Sequence, residues 1–316
     1  MNKFFDNQRI LTLIWKRKFH FIVVGIIAVI LSAIFSGPTF IQPKFKSTAR
    51  IYPTNISPIS EESETEQMLE ILNSNDIKLK MFDAFDLADV YKINKDDPHF
   101  KTYMFDLYNK NVKTAKTEYE TVEINVEDHN PNRASNMCDS IIHFYNLKVG
   151  AMHKAKNLEM VKITQRELDK KYKQYDSLKV RLNELRDKYD VYDFEGQSPE
   201  ITRGYMSALA TGRGSTSDAQ KIEKLYKNFS EKGSDIQWLE KQNQFTIYEI
   251  DSISRIHDIY LMEYEKNITF SHIVEHPFPA DKKSYPVRWL IVAFSMFSAV
   301  FLALLVFLVL DYRKEE

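Results

Sequence analysis

His272 and His276 stand four residues apart, a spacing that on a helix could hold a divalent metal. The segment around them alternates like a strand, runs into Pro277 and offers no third ligand, so an ordinary structural place is expected for both. Cys138 lies in Asn-Met-Cys-Asp-Ser at the start of a helical pattern. There it reads as a small packing residue, not a nucleophile. As the single cysteine of the chain it also excludes an intramolecular disulfide, a Cys-rich zinc module and a CxxC redox motif. Carboxylates are plentiful, but on heptad-patterned helices they form the solvated face, and a glycosidase pair would need a geometry the spacing does not supply. The stretch Gly212-Arg-Gly-Ser-Thr216 could cradle an anion, yet no strand precedes it, so a flexible turn is expected. Neither GxxxxGK[ST] nor GxGxxG occurs, and 8 glycines leave little room for phosphate loops. The expectation is a protein that is not an enzyme, with no catalytic residue, no cofactor and no metal.

With so little chemistry to position, the elements themselves become informative. The chain has 316 residues, enough for one large domain or two ordinary ones. Its 43 Lys and Arg against 44 Asp and Glu give no global bias toward nucleic acid. The negative mean hydropathy looks soluble, but the apolar residues are piled at the two ends. Residues Phe19–Gly37 and Trp289–Leu310 each reach the roughly 20 apolar residues a spanning helix needs. Inside lipid such a helix satisfies every backbone amide within itself. Both are expected to cross a phospholipid bilayer, which puts the termini on one side and residues 38–288 on the other. Lys3, Arg9, Lys16, Arg17 and Lys18 against Asp6 favour a cytoplasmic tail over residues 1–18, and residues 311–316 form a second cytoplasmic tail. A cleaved signal peptide is the alternative for the first stretch. It fits worse, because Ile34 or Phe35 would occupy the −3 position of the cleavage site. Small residues recur every four positions, Ala28, Ser32 and Ser36 in the first stretch and Ser295, Ala299 and Ala303 in the second. Such rows permit close helix packing, within one chain or between chains.

Between the ends, Phe45–Pro53 alternates and reads as a strand. Two short helices follow over 61–85, broken at Ser74–Asp76. Tyr119–Glu127 alternates, with Val122, Ile124 and Val126 on one face. Asn130 caps a helix that begins at Pro131 and runs to about Asp190. In it Val161, Leu168, Tyr175, Leu182 and Tyr189 recur every seven residues, with Tyr172, Leu178 and Leu185 on the same side. Some 60 residues at 1.5 Å each would extend roughly 90 Å. Glycines and Pro199 over 192–217 predict a turn, and a second helix from Asp218 to about Tyr264 carries Ile222, Phe229, Ile236 and Ile250 in one heptad position. Residues 38–130 are thus expected to form an α+β base and 131–266 a long antiparallel helical hairpin. Residues 267–288 hold a return strand and a proline-rich connector to the second span.

The order of these segments resembles the chain length determinant proteins, the polysaccharide co-polymerases of bacterial O-antigen, capsule and exopolysaccharide pathways. Trp15-Lys16-Arg17-Lys18 before a span and Phe45–Pro53 after it resemble the family's opening. Val126–Ala134, followed by a helix with Asn136 and Tyr145, is similar to its strand, D-x-x-P-x-x-A and helix, with Pro131 and Ala134 in the motif positions. Val274–Pro279 and Tyr285–Arg288 resemble its juxtamembrane motif, with Pro277, Pro279, Pro286 and Arg288 as the structural residues. The proline spacing departs from the family pattern, since Lys282, Lys283 and Ser284 intervene. The resemblance implies a bacterial inner-membrane protein with a periplasmic central domain. It implies a homo-oligomer that regulates the length of a lipid-linked glycan extended by a separate polymerase in the same membrane. With six residues after Leu310, the type without a fused kinase is expected. The alternative reading is a membrane adaptor for polysaccharide export or for activating a separate cytoplasmic tyrosine kinase.

Overall fold

The computed structural model describes residues 7–56, 61–212 and 216–312. In chain order the elements are α1 (Asn7–Lys16), α2 (Lys18–Phe35), β1 (Lys44–Pro53), α3 (Glu64–Leu72), α4 (Asn75–Ala84), α5 (Leu87–Val90), α6 (Phe100–Asn111), β2 (Val112–Lys116) and β3 (Val122–Asp128). They continue with α7 (Pro131–Tyr189), α8 (Phe194–Ala210), α9 (Ser217–Glu265), β4 (Ser271–Glu275), β5 (Lys283–Tyr285) and α10 (Arg288–Tyr312). The fold is of the expected α+β kind, mostly helical with a small antiparallel sheet. One unit holds Met1–Val149 with Thr269–Glu316, and the other holds Gly150–Ile268.

In the first unit the sheet runs β2-β3-β1-β4, and β5 also pairs with β1. β1 and β3 are antiparallel from Phe45 opposite Asp128 to Ile51 opposite Val122. Side chains alternate across a strand, so Ser47, Ala49 and Ile51 share the buried face with Val122, Ile124 and Val126. The other face carries a polar ladder. Thr48 donates to Asn125 at 2.7 Å, and Arg50 pairs with Glu275 at 2.6 Å. α3 starts with a complete capping box, in which the Ser63 hydroxyl takes the Glu66 N–H and Glu66 takes the Ser63 N–H. The break at Ser74 falls where the sequence placed it.

Several details differ from the sequence reading. α6 and β2 were not anticipated, because α6 buries only Met104, Tyr108 and Asn111 and its pattern is weak. β3 begins at Val122, not Tyr119. Thr117 and Thr121 close a turn, with the Thr117 N–H on the Thr121 carbonyl at 2.8 Å, and Tyr119 is left exposed. The first turns of α7, assigned above to the hairpin, belong with the base. Ala134, Met137, Cys138, Ile141 and Tyr145 recur at spacings of three and four and are all buried. The Cys138 thiol sits 3.6 Å from the Ser47 carbonyl of β1. Each large side chain buried this way contributes about 1.5–3 kcal/mol, enough to keep this stretch on the sheet. Asn146 fastens the return of the chain, accepting from the Phe270 N–H at 2.7 Å and donating to Ser271 at 2.8 Å.

In the second unit α7 and α9 are antiparallel, as their partners show. Lys154 meets Asn267, Lys171 meets Glu249 and Arg186 meets Glu240. The seam of α7 holds the heptad row as expected, with Leu168 and Leu182 buried. Tyr172 is a correction, because it is half exposed and the seam position beside it is Lys171. Thr164, buried, takes another seam position that no apolar pattern marks. On α9 Phe229, Ile236 and Ile250 are buried as the heptad predicted, and Leu239 is buried beside them.

The stretch 192–217 is the larger correction. It holds the 17-residue helix α8 instead of a simple turn. Asp193 caps it by accepting from the Gly196 N–H, and Gly212 ends it at φ +69, a left-handed stop suited to glycine. Arg213, Gly214 and Ser215 of the anion-loop candidate lie outside the described residues, as do 1–6 and 313–316 of the tails. α8 packs on α9 through Phe194, whose ring stacks on Phe229 with centroids 6.0 Å apart. Around them Leu182, Val191, Ile236 and Leu239 form one apolar cluster. Gly233 is required there, since a Cβ would lie 2.2 Å from the Phe194 ring.

Gly233→Ala is therefore expected to destabilise the protein by about 1–3 kcal/mol in chemical unfolding. Combining it with Phe194→Leu should restore part of the loss, because the smaller side chain vacates the clash.

Candidate functional site

The residues singled out from sequence fall into three places, all in the first unit. The proline-rich segment lies along β1. β4 pairs with β1 over Arg50–Pro53, and β5 pairs with it at Lys44 and Phe45. Between Glu275 and Lys283 the ladder is interrupted. Proline has no N–H to give a neighbouring strand, so such segments sit at edges. Two hydroxyls fasten the edge instead. Ser47 donates to the Phe278 carbonyl at 2.9 Å, and Ser284 donates to the Lys44 carbonyl at 3.1 Å. Pro277 is half-buried, Pro279 exposed and Pro286 buried after a cis peptide bond, while Arg288 is exposed as the first residue of α10. Of the Lys282-Lys283-Ser284 insertion that looked irregular, Lys283 and Ser284 belong to β5, a strand too short for a periodic signal.

The second place is the corner from β3 into α7. Asn130 accepts from the N–H groups of Asn132 and Arg133, as an N-cap does. Pro131 opens the helix, and Ala134 is buried beneath it. Asp128 is the D of the D-x-x-P-x-x-A motif, but the sequence alone did not single out the pairing with Arg133 that holds the corner. Asp128 is 3 % exposed and takes two guanidinium hydrogen bonds from Arg133, at 2.7 and 3.0 Å. The Asn130 N–H, at 2.7 Å, is a third donor to the same carboxylate. An arginine five residues after an aspartate was the available signal.

The third place is the pair of apolar helices. α2 and α10 are long and apolar enough to cross a membrane. They are in contact along an antiparallel path. The Arg17 guanidinium, just before α2, lies 4.7 Å over the Phe307 ring near the end of α10, and Phe21 meets the same ring edge-on at 5.3 Å. Ser32 and Ser36 are buried, and each hydroxyl donates to a carbonyl three residues earlier. That satisfies them without a partner from another helix. Ala28, Ser295, Ala299 and Ala303 are half-buried. Gly25, absent from the expected row, is buried against α10: a Cβ there would meet Met296 and Val300 at 3.8 Å, an ordinary van der Waals contact. The opposite faces, with Ile22, Ile26, Phe297 and Phe301, are more than half exposed.

The chemistry-bearing residues are not brought together. His272 and His276 are both exposed, and among the described residues no three of His, Cys, Asp and Glu gather as metal ligands do. Burial pushes the Cys138 thiol up to about 12, which keeps it protonated and unreactive.

Arg133→Ala should cost about 3 kcal/mol in thermal or urea unfolding, because it leaves the Asp128 carboxylate buried without its cation. Arg133→Lys should recover only part of that, since an ammonium cannot make both fork contacts. In the apolar pair, Gly25→Ala should leave the melting temperature of the detergent-solubilised protein unchanged, whereas Gly25→Leu should lower it by forcing the helices apart.

The family model described as Wzz, chain length determinant protein, matches residues 3–85. By sequence, no curated protein matches the chain. Among solved structures, a full-length bacterial polysaccharide co-polymerase is similar at TM-score 0.48 and 11 % identity, covering 96 % of this chain and 97 % of that one. The wild-type Shigella flexneri lipopolysaccharide O-antigen chain-length regulator WzzBSF gives TM-score 0.31 and 11 % identity, over 76 % of this chain and all (100 %) of that one. A WzzB polysaccharide co-polymerase fragment from Salmonella Typhimurium gives TM-score 0.25 and 11 % identity, over 77 % and 100 %. The resemblance read from the sequence thus holds over residues 3–85, where α2, β1 and the helices after it match the chain length determinant family.

Proposed function

We propose that this chain is a non-enzymatic inner-membrane co-polymerase that regulates the chain length of a lipid-linked surface polysaccharide. The observation that carries the reading is the family match over residues 3–85. The sheet supports it, because β1, nine residues after α2, pairs with β5, three residues before α10. Both apolar helices therefore lead into one strand pair, as a scaffold rooted in a bilayer needs. The proposed topology has both termini in the cytoplasm and the residues between the spans in the periplasm. The basic residues Lys16, Arg17 and Lys18 at the start of α2 support that orientation. The working form is a homo-oligomer that acts beside a separate polymerase. Its size is set by helix length and packing, and it contributes no catalytic group. Pro277, Pro279, Pro286 and Arg288 fix the entry of the chain into the second span. The half-buried Ala28, Ser295, Ala299 and Ala303 and the buried Ser32 and Ser36 let the spans approach one another.

Deleting the gene should broaden or shift the glycan size distribution on a gel while polymerisation continues, and an unchanged ladder would overturn length regulation. A protease added to sealed spheroplasts should cleave between residues 38 and 288, and full protection of that segment would overturn the topology.

A further inference from the structure

A cavity of about 250 Å³ opens in the first unit between the start of β1, the end of β3, the α5 turn and α6. Four basic side chains line it: Lys44, Lys92, Lys110 and His129. Glu127 and Asp128 line it too, but they do not balance the charge. Asp128 is already held by Arg133 and the Asn130 N–H. Glu127 stands opposite Lys46 in the strand register. The Lys44 ammonium donates to the Asn111 carboxamide at 2.5 Å, and Asn111 is 7 % exposed. Lys92 and Lys110 are exposed at the rim, and neither ammonium group has a hydrogen bond or ion pair among the described residues. The buried hydroxyl of Tyr91, also in the lining, faces the Asn111 carboxamide but makes no hydrogen bond of good geometry among the described residues. A buried polar group left without a well-placed partner is costly, and an incoming acceptor would recover that cost. Lys92 is moreover held at φ +55, a backbone conformation uncommon for a non-glycine residue.

The position of the cavity says where its ligand comes from. Lys44 is paired with Tyr285, and Tyr285 stands three residues before Arg288, the first residue of α10. Three residues reach at most about 10 Å. The Lys44 end of the cavity therefore lies at the depth where an apolar span gives way to the headgroup layer. Three ammonium groups, a histidine and a hydroxyl donor around a cleft at that depth suit a small, strongly hydrogen-bonding anion.

We propose that this cavity binds the phosphate group of a membrane lipid, with Lys92 and Lys110 closing on the phosphate oxygens and Tyr91 donating from the floor. The phosphate can be that of a phospholipid headgroup or the one that links a glycan to its lipid carrier. The site depends on α2 and α10 lying in a bilayer and not on length regulation.

The test uses the full chain in detergent at low salt. The probes are dihexanoyl phosphatidic acid, inorganic pyrophosphate, and dihexanoylglycerol as the comparator without phosphate. Phosphatidic acid should bind, and dihexanoylglycerol should not. Lys92→Gln with Lys110→Gln should weaken binding about tenfold. Lys110→Arg should retain it, and Lys224→Gln with Lys227→Gln on α9 should leave it unchanged. Pyrophosphate competing with phosphatidic acid supports recognition of a bare diphosphate such as a lipid carrier bears. Failure of pyrophosphate to compete supports a phospholipid headgroup. Equal binding of phosphatidic acid by the wild type and the Lys92/Lys110 double variant overturns the site, as does binding of dihexanoylglycerol as tightly as phosphatidic acid. An unchanged glycan ladder would overturn the proposed function and leave this result standing.

Discussion

The first unit depends on the hydrogen-bonding of a single strand, β1. A strand offers donors and acceptors along both edges, and each one buried without a partner is costly. β1 meets that demand with β3 on one edge and with β4 and β5 in succession on the other. Both of the latter belong to the segment that leads into α10. The two ends of the chain are thereby locked together just where the apolar helices leave the sheet. The gap between β4 and β5, where prolines cannot donate, is bridged by the Ser47 hydroxyl. The prolines therefore do not anchor the segment by bonding. They limit its conformations and leave the anchoring to β4, β5 and two serines.

The hairpin unit is organised by different physics. An apolar seam of period 3.5 decides that α7 and α9 lie side by side, but it says little about register. Register comes from polar groups within the seam. Lys171 is largely buried and pairs with Glu249, and Arg186, also partly buried, pairs with Glu240 through one terminal guanidinium nitrogen while its Nε has no partner among the described residues. Sliding one helix by a turn would leave these charges poorly paired at partly buried sites, which is strongly unfavourable. Thr246, 1 % exposed, avoids a similar penalty by donating to the Gln242 carbonyl in its own helix.

Patterned elements were readable from the residues alone. The two apolar helices, the strand after the first of them, the alternation in Val122–Val126 and the capped start of α7 all rest on local periodicity or local capping. Elements without a period were not readable. α6 buries three residues in twelve, and β5 is three residues long. α8 was hidden because Gly196, Pro199 and Gly204 resemble turn residues. Gly196 instead accommodates the Asp193 cap, and Gly204 lets Ile222 of α9 approach. Tyr172 and Lys171 were exchanged for a related reason. Hydrophobicity favours tyrosine at a seam, while the 3.5 period and the acidic partner on α9 place lysine there.

Sequence alone determined that the chain has two long apolar helices flanking an α+β body with a heptad hairpin. These properties follow from runs and repeats that act over a few residues, whatever surrounds them. Only the tertiary structure decided that β1 joins both apolar helices, that Arg133 neutralises a buried Asp128, and that Gly25 packs against Met296 and Val300 of α10. Each of those facts depends on groups far apart in the chain, or on which face of an element the rest of the fold covers. Neither periodicity nor composition carries that information.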